Sequence, residues 1–195
     1  MKSFKLRAWA RSDVPALGRH LNNKKIWNNC RDALPYPYTE KDAEKVINFI
    51  EGQSEQNNYS IEINHEAAGN ISFFRGTDVE RYNAELGYWL AKPYWNLRIM
   101  TEAVIQAEKD YLYHSDTVRI HANVYENNPA PMKVLEKVGF KKCGILRKAC
   151  SKNGQFIDYQ YFQIQNIILF DVIHLKLYDY EKIIYYNCFF RVNPS

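Results

Sequence analysis

The spacing of hydrophobic residues changes along the chain and divides it into predicted helices and strands. Apolar residues recur at helical spacing from Ala43 to Ile50 and from Met100 to Tyr111. Between them, alternating stretches around Ile61, Phe73 and Leu86 predict an antiparallel meander of strands. Weaker patterns predict an edge strand at 5–9, helices containing 17–21 and 132–138, and strands at 118–124, 143–147 and 155–163. The resulting order, β-α-α-β-β-β-α-β-α-β-β, predicts a mixed α/β single domain.

Short-range signals mark several ends of these elements. Ser12 is expected to cap the first helix, and Thr39 with Asp42 three positions later predicts a capping box for the second. Gly139 follows a predicted helix where a left-handed C-cap is common. The dipeptide at 153–154, Asn-Gly, predicts a tight hairpin between the last two strands.

Composition and charge narrow the classes of function. The chain is 46% hydrophobic and 15% aromatic, enough for a core and against a wholly disordered protein. A net charge of +4 suits an anionic small ligand. No dense basic and aromatic stripe is visible, so nucleic acid is not an expected partner.

Cysteine usage and hydropathy predict a cytoplasmic protein without a metal site. The cysteines Cys30, Cys143, Cys150 and Cys188 form no CxxC pair and have no histidine at ligand spacing, so free thiols are expected. The N-terminus lacks the apolar run of a secretory signal. The apolar stretch 167–190 carries five charged residues, which argues against a membrane helix.

Four motifs together carry a family resemblance over residues 5–163. They are the loop 34–39 (LPYPYT), the strand 85–90 (ELGYWL), the segment 93–103 (PYWNLRIMTEA) and the segment 127–140 (NNPAPMKVLEKVGF). In this order the chain resembles the RimJ/RimL-type branch of the GCN5-related N-acetyltransferase (GNAT) superfamily. The resemblance implies a central, mostly antiparallel twisted sheet with splayed middle strands and flanking helices. It also implies transfer of an acetyl group from acetyl-CoA to a primary amine of a protein N-terminus or a small molecule.

The resemblance further implies where CoA binds. Its pantetheine arm would enter between the splayed strands, and its diphosphate would lie on the N-terminus of the helix beginning near Ile99. The implied binding residues are Tyr94, Trp95, Asn96, Leu97, Arg98, Ile99, Met100 and Thr101, together with Asn128. Relatives usually carry glycine at the positions of Asn96 and Arg98. The Arg98 side chain either pairs with phosphate oxygens or fills the space they need.

Acyl transfer to an amine requires a base, because amines are mostly protonated near neutral pH. By resemblance, Glu85 is the candidate base; the alternative is a strand carboxylate in a cross-strand salt bridge. Asn128 either contacts the CoA arm or caps a helix. Relatives often have a serine acid where this chain has Pro131, so Tyr125 is the candidate acid, or else a packed tyrosine. The resemblance places Trp27, Tyr36, Tyr38 and Tyr88 in the acceptor pocket, although such an aromatic wall also suits an ordinary core.

Residues 1–164 are therefore predicted to form the acetyltransferase domain, and residues 165–195 an apolar extension. The extension is expected to pack on the domain or on a second subunit, and we hypothesise a homodimer contact. The alternative function is a catalytically weakened binding or regulatory module of the same fold. Asn96, Arg98, Pro131 and the extension favour this alternative.

Overall fold

The computed structural model describes residues 3–53 and 57–165, which build a seven-stranded sheet with helices on both faces. The strands are β1 (Lys5–Arg7), β2 (Asn58–Ile63), β3 (Glu66–Arg75), β4 (Asn83–Leu90), β5 (Arg119–Tyr125), β6 (Lys141–Lys152) and β7 (Gln155–Gln165). The helices are α1 (Val14–Leu21), α2 (Lys24–Trp27), α3 (Glu40–Glu51), α4 (Ile99–His114) and α5 (Pro129–Val138). Short 3₁₀ turns cover Arg11–Asp13, Asp78–Glu80 and Lys92–Tyr94.

The strand order is β1-β2-β3-β4-β5-β7-β6. Neighbouring strands are antiparallel except for β4 and β5, which run parallel at the centre. The predicted fold, a mixed α/β domain with a mostly antiparallel sheet, is confirmed. The parallel pair is the topological exception, and it lies where the resemblance predicts the strands to splay.

Two apolar cores cover the two faces of the sheet because strand side chains alternate between faces. On one face, Phe73, Leu86 and Ile120 pack with α4 and α5. On the other, α1 and α3 pack through residues such as Leu17 and Ile47. Each core supplies the favourable burial that holds one helical layer against the sheet, at roughly 25 cal/mol per Å² of apolar surface.

The structure confirms three of the helix and hairpin ends that local sequence motifs predict. The Thr39 N–H donates to the Asp42 carboxylate at 3.2 Å and the Asp42 N–H donates back to Thr39 Oγ1 at 3.4 Å, which completes the capping box. Gly139 ends α5 with φ of 107°. Both residues of the 153–154 turn have positive φ, as a tight hairpin requires.

The prediction for Ser12 is wrong. Ser12 lies inside the 3₁₀ turn, and Asp13 occupies the N-cap position of α1. The reason is tertiary: the Asp13 carboxylate is buried against Arg7, with distances of 2.7 and 2.8 Å to its guanidinium nitrogens. The periodicity also misses the single turn of α2, and β6 is longer than predicted.

The predicted extension begins at Gln165, the last residue of β7. Its remaining residues, 166–195, lie outside the part of the chain that the structure describes. Packing of the extension and the homodimer contact therefore stay predictions. A protein truncated after residue 165 that kept the oligomeric mass and stability of the full chain would contradict them.

Candidate active site

A cavity of about 1080 Å³ opens where the two central parallel strands separate. β4 and β5 pair at Asn83–Arg119, Ala84–Ile120 and Glu85–His121, and then diverge. β4 continues to Leu90 with its other edge paired to β3, so the edge facing β5 is left without a strand partner among the described residues. Unpaired strand backbone offers N–H and C=O groups to an extended ligand.

The N-terminus of α4 forms one end of this cavity. Residues 94–101 all line it, including the first turn of the helix from Ile99. The first N–H groups of a helix have no partner within the helix and carry its positive dipole end, which suits an anion. Asn96 and Arg98 have φ of 63° and 61°, the left-handed conformation that glycine adopts readily. The loop thus keeps the backbone form that a Gly-x-Gly step would give, at the cost of strain.

The start of α5 forms the opposite wall. Asn128 occupies the N-cap position, but its side chain makes no hydrogen bond to the first turn of α5, so the amide is available to the cavity. The Tyr88 hydroxyl donates to the Pro131 carbonyl at 3.0 Å and ties β4 to this wall. Lys133 and Lys137, one helical turn apart and exposed, also line the cavity.

Glu85 lies where the two strands separate, on the sheet face opposite α4. Its side chain is 24% exposed. Arg31 Nη2 donates to one carboxylate oxygen at 2.6 Å, and Asn123 Nδ2 donates to the other at 3.3 Å. The carboxylate is therefore held in place and faces the cavity. The structure supplies an ion pair for Glu85, but the partner comes from a loop and not from a neighbouring strand.

The loop that carries Arg31 is clamped at three points. The Tyr125 hydroxyl donates to the Cys30 carbonyl at 3.2 Å. Lys152 Nζ lies 2.7 Å from Asp32 Oδ1 and 3.9 Å from the centre of the Trp27 ring. Near these, the hairpin tip contacts Asn28 through a side-chain amide at 3.3 Å. These contacts join the loop to β5 and to the β6–β7 hairpin, and they position Arg31 over Glu85.

Burial shifts the pKa values of three side chains near Glu85 and so favours the neutral form of each. Burial lowers the pKa of His121, the β5 partner of Glu85, and so favours its neutral form. Burial raises the pKa of Tyr125, whose ring stacks on Tyr159 at 5.6 Å. Burial also raises the pKa of the Cys30 thiol to about 11, so this cysteine is poorly suited to act as a thiolate nucleophile.

The predicted aromatic pocket is divided. Tyr38 and Tyr88 line the cavity, and burial raises the pKa of both phenols. Trp27 and Tyr36 are not among the described lining residues. They pack on each other at 5.5 Å, and Trp27 donates to the Leu34 carbonyl at 2.9 Å. The structure thus brings together the predicted CoA-binding residues, Glu85 and Tyr125, and separates two of the four aromatic residues from them.

Sequence reasoning did not single out Arg31, Asn123, Lys133 or Lys137. A signal existed for Asn123, because strand alternation places it on the face of Tyr125. The lysines are spaced i,i+4 on a predicted helix, which also was visible. Arg31 had no local signal: it reaches Glu85 across 54 residues of sequence.

Residues 4–141 match the family described as the acetyltransferase (GNAT) domain. The chain belongs to this GNAT family. A curated relative, the uncharacterized N-acetyltransferase p20 of Bacillus licheniformis, is 31% identical over 135 residues, covering 66% of this chain and 75% of p20. The probable N-acetyltransferase YjcK of Bacillus subtilis (strain 168) is 40% identical over 99 residues, covering 50% of this chain. That alignment spans about half, 54%, of the length of YjcK.

Solved structures show the same fold. RimJ of Mycobacterium smegmatis, in complex with CoA-disulfide, superposes with a TM-score of 0.74 at 20% identity, covering 86% of this chain and 84% of that protein. The resemblance to the RimJ/RimL type seen in the sequence motifs is confirmed for the fold.

Two further findings concern residues 3–53 and 57–165. No three His, Cys, Asp or Glu side chains in these ranges lie close enough together to hold a metal ion. None of the helices in the same ranges has the length and apolar character needed to cross a bilayer.

Proposed function

We propose that this GNAT protein transfers the acetyl group of acetyl-CoA to a primary amine. The observation that carries the proposal is the position of Glu85. It is the last residue of β4 paired to β5, so its carboxylate lies at the apex of the gap, while the α4 N-terminus lies at the other end of the same cavity.

The residues around the gap fit CoA. A thioester with a long, flexible arm and several phosphates needs a groove, backbone partners and positive charge. The free edge of β4 offers the backbone partners, and the first turn of α4 offers N–H groups to a diphosphate. Arg98, Lys133 and Lys137 line the cavity and add positive charge. Asn128 supplies an amide that is not used in capping.

In the proposed reaction Glu85 takes the proton of the acceptor amine. The neutral amine nitrogen then attacks the thioester carbonyl, an N–C bond forms and the C–S bond breaks. The nitrogen also releases a second proton, which replaces the one that the acid gives to the leaving thiolate. The departing thiolate needs a proton, and Tyr125 is the candidate donor, although its hydroxyl is engaged with the Cys30 carbonyl. A backbone N–H on the free strand edge would stabilise the oxyanion formed between these steps.

A module that binds CoA without turnover is the second candidate. The contacts of Glu85 favour it, because Arg31 and Asn123 already donate hydrogen bonds to the two carboxylate oxygens that a base would offer to the amine. Pro131, which has no side-chain proton, favours it as well.

Calorimetric titration with acetyl-CoA followed by a thiol-release assay against a panel of amines separates these functions. Binding together with amine-dependent thiol release is expected. Binding without thiol release for any amine would favour the module. Absence of binding would remove both, because each depends on CoA entering the gap.

A further inference from the structure

The charges around the cavity are unequal. Glu85 is the only carboxylate among the described residues that line it. The lining also contains five basic residues: Lys25, Arg31, Arg98, Lys133 and Lys137. Arg98 and the two lysines of α5 lie at the CoA end. The acceptor end therefore has Lys25 and Arg31 as its cations, and its one carboxylate is already engaged with Arg31.

Arg31 has donors left for a ligand. Its guanidinium carries five N–H groups, and among the described residues it bonds to one partner, Glu85. Its side chain is 63% exposed, and its Cζ lies 5.8 Å from the centre of the Phe74 ring. Phe74 is the β3 partner of Glu85, so the guanidinium spans the sheet face immediately beside the candidate base.

Two cations of the neighbouring hairpin are neutralised. Lys152 pairs with Asp32 at 2.7 Å, and Arg147 pairs with Asp158 at 2.5 Å. Lys25, in contrast, is exposed and has no ion-pair partner within the described ranges. Lys25 and Arg31 together outweigh the charge of Glu85, so these three lining side chains carry a net positive charge.

We propose that the acceptor is an amine that carries a carboxylate close to its nitrogen, and that Arg31 binds this carboxylate. This inference rests on the proposed function. Arg31 Nη2 lies 2.6 Å from the Glu85 carboxylate. An amine presented to Glu85 therefore places a carboxylate a few bonds away within reach of the remaining guanidinium N–H groups. A free amino acid and a peptide beginning with Asp or Glu both have this chemistry.

The same charges disfavour a polyamine. A polyamine presents several ammonium groups and needs uncompensated carboxylates to replace their hydration. The described lining offers Glu85 alone, and Arg31 and Lys25 would repel a second ammonium.

The test uses matched acceptors with the full-length protein and saturating acetyl-CoA. Alanine is compared with alaninamide, and the dipeptide Asp-Ala with Asn-Ala, both dipeptides with an amidated C-terminus; spermidine is the polyamine. In each pair, the compound with a carboxamide in place of the carboxylate has the less basic amino group. A preference for the carboxylate compound therefore cannot come from easier deprotonation of its amine. We expect kcat/KM for the acid to exceed that of its amide at least about tenfold in one pair, as a charge-assisted hydrogen bond allows. The pair that shows it identifies the source of the carboxylate.

Variants separate recognition from positioning. Arg31→Gln is expected to reduce the acid-to-amide ratio about tenfold, and Arg31→Lys to restore part of it. A general loss of activity lowers both members of a pair and leaves this ratio unchanged. Lys24→Gln also removes one positive charge, but Lys24 is not among the described residues that line the cavity, so this control variant should leave the acid-to-amide ratio unchanged.

The outcomes distinguish failure of this inference from failure of the proposed function. If acetyl-CoA binds and amines are acetylated, but both pairs favour the amide, spermidine is preferred, or Arg31→Gln keeps the ratio, the inference alone is overturned. If no acetyl-CoA binds and no amine is acetylated, the proposed function and this inference both fail.

Discussion

The two ends of the cavity are built from different parts of the chain. The CoA end is formed by main chain: the free edge of β4 and the first turn of α4. The acceptor end is formed by side chains from distant segments, with Arg31 and Asn123 holding Glu85. Many substitutions leave backbone geometry unchanged, whereas any substitution within a hydrogen-bonded cluster of side chains changes that cluster.

This difference explains how the loop tolerates unusual residues. Asn96 and Arg98 replace the small residues expected there, yet both keep positive φ. The N–H groups of the helix N-terminus remain directed at the cavity because helix geometry, and not side-chain identity, orients them. At the acceptor end, by contrast, side-chain identity should decide both rate and specificity.

The largest effect is expected from Glu85→Gln, which keeps the size of the side chain and removes the base. We expect kcat to fall about 10²–10⁴-fold, the usual contribution of general-base catalysis. The dissociation constant for acetyl-CoA should stay within about twofold of the wild-type value, because Glu85 is not part of the CoA end of the cavity. Thiol release and calorimetry measure the two quantities. Glu44→Gln, on the exposed side of α3, is the control, and full turnover by Glu85→Gln would exclude this base.

Reversing charge on α5 should weaken the CoA end. The double variant Lys133→Glu and Lys137→Glu is expected to raise the dissociation constant for acetyl-CoA about tenfold, because two charges that attract the phosphate groups are replaced by two that repel them. The difference in affinity between the wild type and the double variant should shrink as salt is added. Lys109→Glu, an exposed charge on α4 outside the described lining, serves as control. An unchanged acetyl-CoA affinity in the double variant would show that these lysines do not face the phosphates.

Substitutions of Arg98 separate backbone strain from charge. Arg98→Gly relieves the left-handed strain and should raise the free energy of unfolding by about 1 kcal/mol relative to Arg98→Ala. Both variants lose the same charge, so their difference reports the backbone alone. Urea unfolding measures this difference. Equal stability of the two variants would mean that the residue does not hold positive φ in solution.

The smallest effect concerns pH at the acceptor end. Burial lowers the pKa of His121 below its ordinary value of 6.5. As the pH falls through 6.5, the unfolded chain takes up a proton that the folded imidazole resists, so stability decreases toward acid. His121→Asn should remove this part of the decrease. Urea unfolding at pH 7.5 and pH 5.5, each about one unit from 6.5, measures this pH dependence of the free energy of unfolding. His65→Asn, which changes a fully exposed side chain, is the control. Identical pH slopes in wild type and His121→Asn would contradict the prediction.

Much of the fold was readable from local pattern. Helical spacing predicted α3 and α4, and the capping box at Thr39 and the hairpin at 153–154 were located correctly. Ser12 was misread because Asp13 is held by Arg7, an ion pair that periodicity does not show. Failures of this kind come from contacts between elements, which compete with local preferences.

The sequence by itself determined most of the elements, their relative order and the family resemblance, since these depend on spacing and on motifs within short segments. Tertiary structure decided what surrounds Glu85. Arg31 and Asn123 lie 54 and 38 positions away along the chain, and they meet Glu85 because the loop is clamped to the hairpin and because β5 leaves β4 at that point. A side chain's partners across such separations depend on how whole elements pack, and no local period encodes that packing.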